Sequence, residues 1–464
     1  MSGRPGAAGR GELAIVLHTH MPYIEGFGTW PFGEEWLWEV IATSYLPLLD
    51  VLDAHPGAVT LSLTPVLADQ LEAPGAMQRC LEFLRTVRPE THARDAAELR
   101  AAGQADQARE IERSAVAYAA AADRLAALQA RPGGLLGALG GHVTWTSAAT
   151  HAVLPLLAGD AGIDLQVQTG IAAHRRRFGA WGGGFWLPEC GHAPWLDPRL
   201  EASGVKATCV ELTGWLGAGH PAHRRPVATQ DGPVLWPIDR AQMALVWSDG
   251  GYPARGPYRD SHRLTRYRHC AWSNAGDPYD HARAVAQAER DAEAFVAAAH
   301  ARLHDGGVCV VALDTELLGH WWHEGVAWLG AVIAAARRRG LPLTPLDVAA
   351  ERHPARPVPM PEAPTSWGEG GDLRTWSAPR VADLAFMLRT AELELAADVE
   401  PGPRARRELL ALQASDWAFL AYRGTAGDYP HRRAAGHRSQ LTRALAGDPE
   451  LEPGLRGLAP DLAP

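Results

Sequence analysis

Leu13-Ala-Ile-Val-Leu17 runs directly into His18-Thr-His20, and Val308-Cys-Val-Val-Ala-Leu313 runs directly into Asp314-Thr-Glu316. A short, partly β-branched apolar run that stops abruptly at polar residues reads as a strand buried on both faces, its polar end marking where the chain leaves the core. Val59–Leu63, His142–Thr146, Gly184–Leu187 and Val205–Leu212 have the same character. Ala282–His304 and Val326–Arg339 carry apolar residues at helical spacing. Strands alternating with helices predict parallel βα units, closed into a barrel or wound into an open sheet. A length of 464 residues favours the barrel.

Two regions break the rhythm. Residues 77 to 133 are rich in Ala, Arg and Glu, have helical spacing and end at Arg131-Pro-Gly-Gly134, which predicts a helical insertion. Beyond the Pro-rich stretch His353–Pro364, helical patterns near 379–397, 404–422 and 431–447 predict a C-terminal helical domain over 353–464. The barrel unit is then 13–352, preceded by a disordered tail, 1–12. No repeat of 20 to 50 residues is evident, which argues against a solenoid or propeller.

The composition is 47% hydrophobic and 21% charged, which fits a globular chain and excludes a largely disordered one. With 44 basic and 53 acidic residues the net charge is −9, so neither nucleic acid nor an anionic membrane is an expected partner. Lys206 is the sole lysine, which leaves little room for Schiff-base or P-loop chemistry. Five cysteines without a CxxC pair argue against a disulfide framework or zinc ribbon. The apolar run at Leu13–Leu17 is too short for a signal segment or a membrane span, and a cytoplasmic location is expected.

His18, Glu189 and Asp314 each stand at or just past the end of a predicted strand. In a parallel barrel those ends share the face on which active sites assemble. A single carboxylate after a strand is more commonly a cap or loop charge; three polar motifs at three strand ends favour a site. His18 and His20, alternating on one strand face, suit metal ligation, and His320-Trp-Trp-His323-Glu324 adds donors, but the helical HExxH spacing is absent. The same imidazoles serve equally as hydrogen-bond donors to hydroxyls. Tryptophan is unusually frequent: 17, against 8 Phe and 9 Tyr. Many lie beside the polar motifs, including Trp30, Trp186, Trp321, Trp322, Trp367 and Trp376. Ordinary core packing accounts for most of them, yet flat rings with a polar handle also suit a pyranose face. Paired carboxylates among such rings point to glycoside chemistry, in which one attacks the anomeric carbon and the other protonates the departing oxygen. Residue type alone does not choose between Asp314 and Glu316 for the second role, since both are placed on one strand face. A metal-dependent barrel hydrolase and a non-catalytic glucan-binding protein are the competing readings.

Five ordered motifs sharpen this reading. His18-Thr-His-Met-Pro-Tyr23, Gly141-His-Val-Thr-Trp-Thr-Ser-Ala-Ala-Thr-His151, Gly184-Phe-Trp-Leu-Pro-Glu-Cys190, Leu313-Asp-Thr-Glu-Leu-Leu-Gly-His-Trp-Trp322 and Ser366-Trp-Gly-Glu-Gly-Gly371 resemble, in order, the signature regions of glycoside hydrolase family 57. The likeness extends from about residue 13 to 430. Trp30-Pro-Phe-Gly-Glu-Glu-Trp36, Val246-Trp-Ser248 with Gly251-Tyr-Pro253, and Ala414-Ser-Asp-Trp417 look like that family's α-1,4-glucan branching enzymes rather than its amylases. The resemblance implies an α/β fold, a distorted (β/α)7 barrel with a helical insertion and a C-terminal α-helical domain that helps to build the glucan cleft. It implies retaining catalysis without cofactor or metal, with Glu189 as nucleophile and Asp314 as general acid/base, acting on an α-1,4-glucan donor and acceptor. His18, His20, Trp30, His151, Trp247, Arg259, Trp367, Trp376 and Asp416 are implied to contact substrate. The branching enzymes it resembles carry a tyrosine on a loop after the nucleophile; Thr213–Pro237 contains none. An α-amylase or 4-α-glucanotransferase would use the same two carboxylates.

Overall fold

The protein is described by a computed structural model covering residues 11–28, 33–451 and 457–462. Trp30 and most of the expected N-terminal tail lie outside the described residues. Nine strands are present among those described: β1 (Glu12–Thr19), β2 (Thr60–Leu63), β3 (Val143–Ser147), β4 (Phe185–Trp186), β5 (Ala207–Val210), β6 (Val227–Ala228), β7 (Val234–Pro237), β8 (Val308–Asp314) and β9 (Arg356–Pro357).

Strands β4, β3, β2, β1 and β8 form one parallel sheet in that order, and β5 pairs with β7 in parallel. A parallel bridge between Gly184 and Ala207 joins β4 to β5. On the other side the Asp239 N–H donates to the Val310 carbonyl at 2.7 Å, joining the end of β7 to β8. Seven parallel strands thus close into a (β/α)7 barrel. It is distorted because two of its seams are held by isolated contacts rather than long ladders. Strand β6 runs antiparallel to β7, and β9 pairs with β6 beyond the barrel wall. All eight residues of β1 are buried, as a strand covered on both faces requires.

The six strand runs read from sequence each overlap a barrel strand, with β1 starting one residue earlier, at Glu12. The seventh, β7, is only Val-Leu-Trp-Pro and follows Gly232-Pro233, so it lacks the length that distinguishes a strand from a turn. The two helices expected around the last barrel strand are His281–Arg302 and Gly325–Arg339. Asp280 caps the first by accepting from the Arg283 N–H at 3.0 Å, and Gly340, at φ 66°, ends the second in the left-handed conformation. The segment between β2 and β3 is helical, with Pro65–Glu72, Ala76–Glu82, Arg88–Ala101, Ala105–Gln129 and Gly134–Gly140 as its α-helical parts.

The later helices are Ala382–Ala397, Pro403–Leu412, Ser415–Arg423 and Tyr429–Leu445. The pattern near 404–422, read as one helix, is two. At Ala414 the backbone turns extended (φ −56°, ψ 131°), and the Ser415 N–H donates to the His151 carbonyl at 3.1 Å. A tertiary contact breaks this helix where no Gly or Pro signals a break. No helix among the described residues is long and apolar enough to cross a membrane.

The β3–β4 contact depends on one close approach. A Cβ on Gly184 would lie 2.1 Å from the Trp145 indole, which is fully buried and donates from Nε1 to Asp347 at 2.9 Å. Gly184→Ala is therefore expected to lose about 1–3 kcal/mol by overpacking. Urea unfolding reads the loss; a midpoint equal to wild type would show that the ring has room to move.

Candidate active site

Glu189 follows β4 by three residues and sits in an unusual turn. Leu187 is extended, as a residue before proline must be, and Pro188-Glu189-Cys190 then makes one tight 3₁₀ turn. Glu189 (φ 62°) and Cys190 (φ 48°) are both in the left-handed region, costly for residues with a Cβ. The turn aims the carboxylate across the strand ends. There Trp367 Nε1 donates to Oε2 at 2.7 Å and Ser415 Oγ donates to Oε1 at 2.9 Å. The backbone is gripped as well, since the Trp367 N–H donates to the Glu189 carbonyl at 3.0 Å.

Three imidazoles stand beside it. His18 is the last residue but one of β1, His20 follows that strand, and His151 follows β3 in another left-handed conformation, φ 63°. The His151 ring stacks on those of His20 and His18 at 4.0 and 4.8 Å, and His18 stacks on Trp186 at 4.6 Å. His20 lies 3.1 Å from Asp416 through Nε2 and 3.2 Å from Thr64 through Nδ1, while its N–H donates to Glu316 at 3.1 Å. Burial acts to lower the His20 pKa, but Asp416, Glu316 and Glu189 outweigh it and the net shift is upward. His18 has no such partner, and His151 has only the 3.7 Å approach of its Nδ1 to Glu189 Oε1. Burial, followed by the charge of His20, pushes both well below the usual imidazole range, so they are neutral. His20, His151 and Asp416 bring possible metal-ligand atoms within 4.8 Å of one another. Each ring nitrogen of His18, His20 and His151 nevertheless has a protein partner, which describes a hydrogen-bonded lattice more than a free ligand set.

Asp314 is the last residue of β8, opposite His18 in the β1 register. Burial raises its pKa well above the carboxylate range, and the charges of Glu189, Glu316 and Asp416 raise it further. Burial also raises Glu189, but the Trp367 and Ser415 hydrogen bonds hold it to about 6. The structure corrects the placing of Glu316 on the same strand face as Asp314. The strand ends at Asp314, and Thr315–Leu317 is a 3₁₀ turn that carries Glu316 behind the strand end. There it accepts from Tyr45 Oη at 2.5 Å and from the His20 N–H, and burial leaves its pKa at about 7. It is a tethered, buried acid that supports His20.

The remaining expected contacts divide. Trp367 and Asp416 are in the cluster. Trp376 is 3% exposed and packs with Leu373 and Val153, its ring close to Gly368 behind Trp367. Trp247, 43% exposed, follows the short helix Arg240–Met243. Arg259 is ion-paired with Glu110 of the inserted helices and lies over the Tyr279 ring at 4.5 Å. With Arg88, His320, Trp321 and Trp36 it lines a separate cavity of about 210 Å³ that none of Glu189, Asp314, His18, His20, His151 or Asp416 enters. Among the described residues neither Trp247 nor Arg259 joins the hydrogen-bonded cluster around Glu189.

The sequence reading missed several members. Ser415 stands inside the stretch quoted for Asp416, so its position was visible but its role was not. Tyr45 and Ser44 carried no signal. They lie in a π-helical turn, Ile41–Tyr45, within an otherwise α-helical segment, and that widened turn lets Tyr45 reach Glu316 and Ser44 reach the Thr315 carbonyl at 3.0 Å.

Comparison with known proteins gives the family and the fold. Residues 143–361 match the description of glycosyl hydrolase family 57, and residues 385–447 match the C-terminal region of 1,4-alpha-glucan branching enzymes. A probable 1,4-alpha-glucan branching enzyme of Mycobacterium tuberculosis (strain H37Rv) is 32% identical over 514 residues, covering 98% of this chain and 94% of its own. The crystal structure of a GH57-type branching enzyme from Pyrococcus horikoshii superposes with a TM-score of 0.85 at 28% identity, covering 94% of this chain and 89% of that one. That of a GH57 branching enzyme from Thermococcus kodakaraensis, solved with glucose, gives 0.83 at 28% identity, with 94% and 90% covered. With its motifs in order, the barrel closed by seven strands and a relative matched along nearly its whole length, the chain belongs to glycosyl hydrolase family 57.

Proposed function

We propose that this protein is a 1,4-α-glucan branching enzyme working by retaining double displacement. The observation that carries the chemistry is the unequal treatment of two buried carboxyl groups. Glu189 receives two hydrogen bonds that favour its anion, whereas Asp314 faces three carboxylates and is held protonated. Environments that push two acids apart assign the acid and the nucleophile. The branching enzymes similar along nearly the whole chain, and the match at 385–447, support transfer to a glucan as the outcome.

In the first step Glu189 attacks the anomeric carbon of an α-1,4-linked glucose, the glycosidic bond breaks, and Asp314 gives its proton to the departing 4-oxygen. The donor chain is then an ester of Glu189. In the second step the Asp314 carboxylate takes the proton of an acceptor 6-hydroxyl, whose oxygen attacks the same carbon. Glu189 leaves as a carboxylate, and two inversions give an α-1,6 linkage. His20 and Asp416, at the mouth of the cluster, offer donor and acceptor atoms to sugar hydroxyls. Trp367 presents an indole beside the nucleophile for the apolar face of a glucose ring.

Incubation with amylose tests the outcome. Growth of α-1,6 linkages with few new reducing ends is expected; reducing ends without branches would identify an amylase, and longer unbranched chains a 4-α-glucanotransferase. Glu189→Gln, similar in size but without the nucleophilic charge, should lower kcat at least about a hundredfold while still binding glucan. Retained turnover would remove Glu189 from the role.

The pH dependence follows from the same pair. Activity needs Glu189 ionised and Asp314 protonated. Below about 6 Glu189 takes up a proton and kcat should fall roughly tenfold per pH unit. The opposite limb, set by the raised Asp314, should lie well above the ordinary carboxylate range. These limbs belong to the coupled pair. A rate that stays flat down to pH 4 would contradict the assignment.

A further inference from the structure

A chain of hydrogen bonds reaches Glu189 at the carboxylate oxygen that Trp367 does not bind, and its proton positions can be worked out one after another. An ionised Glu189 only accepts, so the 2.9 Å contact with Ser415 uses the single hydroxyl proton of that serine. The Ser415 oxygen must then accept in its 2.8 Å contact with His151 Nδ1, which puts a proton on Nδ1. His151 is neutral, so its Nε2 is bare and accepts in the 2.9 Å contact with His18 Nε2. The one proton of neutral His18 is therefore on Nε2. Its Nδ1 is bare, with the Ser62 hydroxyl 3.4 Å away, a hydroxyl that also reaches the Thr146 carbonyl at 3.5 Å. Every link is buried: His18 is 0%, Ser62 0%, His151 4% and Ser415 4% exposed.

We propose that Ser415 is a positioning residue for the nucleophile and that His18 and His151, acting through it, lock its hydroxyl proton toward Glu189. This rests on the reading of Glu189 as nucleophile. A serine hydroxyl left alone rotates among its rotamers and donates wherever a partner stands. With His151 occupying its lone pair, the Ser415 proton has one direction left, and a fixed donor stabilises the carboxylate at no reorganisation cost. No proton is transferred along the chain. It orients Oε1, leaving Oε2 to the Trp367 indole, so the carboxylate plane is fixed from two sides. His18 and His151 are then set apart from His20 and Asp416, which stand nearer the mouth. The left-handed backbone of His151 and the break before Ser415 are both explained, since the Ser415 N–H also donates to the His151 carbonyl.

The groups facing Glu189 are Asp314 from β8, His20 after β1, His151 after β3 and Asp416 from the helix Ser415–Arg423, with Cys190 beside it in its own turn. Of these, the Ser415 variants alter none. The test is kcat and KM as a function of pH on amylose for wild type, Ser415→Ala and Ser415→Thr, with melting temperatures. Losing the directed donor should move the acid limb of kcat up by roughly one pH unit and lower kcat about tenfold at neutral pH. KM should change less than about twofold, because the hydroxyl is spent on Glu189 and not on sugar. Ser415→Thr, which keeps the hydroxyl, should return the limb toward wild type. His151→Asn, leaving Ser415 in place but freeing its proton, should shift the limb in the same direction by less; it serves also if Ser415→Ala does not fold. An unmoved limb in both Ser415→Ala and His151→Asn, or a loss confined to melting temperature, overturns the proposal. If wild type itself makes no glucan transfer product, or Glu189→Gln stays active, it is the proposed function that fails, a result separable from the behaviour of Ser415.

Discussion

The strained turn at Glu189-Cys190 is the constraint around which the site is built. Two consecutive residues in the left-handed region cost on the order of 1–3 kcal/mol each, and such a conformation persists only where its surroundings over-determine it. Here the surroundings are two segments remote in sequence. Trp367 binds both the backbone and the side chain of Glu189, Ser415 binds the other carboxylate oxygen, and the bridge between His192 and Thr365 pins the chain on the far side of the turn. The barrel wall delivers Glu189 to the right place, but residues 365–367 and 415 hold it in the right shape.

The electrostatics follow from the same crowding. Glu189, Asp314, Glu316 and Asp416 share one buried region, and like charges so close cannot all remain ionised. The protein separates them by the partners it supplies. Asp416 is given His20, and Glu189 is given an indole N–H and a hydroxyl. Glu316 is given a phenol and a backbone N–H, whereas Asp314 has a carboxylate-rich neighbourhood and keeps its proton. A raised Asp314 is thus a product of the whole set, and removing any neighbouring carboxylate would lower it.

Much of this was legible because strand ends announce themselves. In β1, β4 and β8 an apolar run halts at a polar residue, and those residues, His18, Glu189 and Asp314, do come together. Periodicity could not tell that β8 stops at Asp314 and not at Glu316, because one residue of strand and one of 3₁₀ turn look alike in sequence. Nor could it find β7, four residues long, or the π-helical turn that brings Tyr45 to Glu316. The break at Ala414 was invisible for a different reason. Alanine favours helix, and only the pull of the His151 carbonyl on the Ser415 N–H, a contact across 264 residues, makes that position extended.

That last break alters what the C-terminal helices are for. Had Pro403–Leu412 and Ser415–Arg423 been one continuous helix, Ser415 and Asp416 would have been mid-helix residues, their backbone N–H groups committed to the preceding turn. By stopping and restarting, the chain gains a fresh helix start whose first residues point into the barrel mouth: Ser415 to Glu189 and Asp416 to His20. The helices are anchored to the barrel beneath this point by Thr150, whose hydroxyl donates to the Leu410 carbonyl, and by Gln166, which donates to Gln413 at 2.9 Å. Those contacts lie on the loop after β3 and on the helix Asp160–Phe178 that follows it, so the element that presents His151 is also the one that grips the helix break. A shift of the C-terminal helices away from the barrel would therefore remove a donor from Glu189 and the partner of His20 together. Docking of these helices and ordering of the active site are one event, because the same few hydrogen bonds accomplish both.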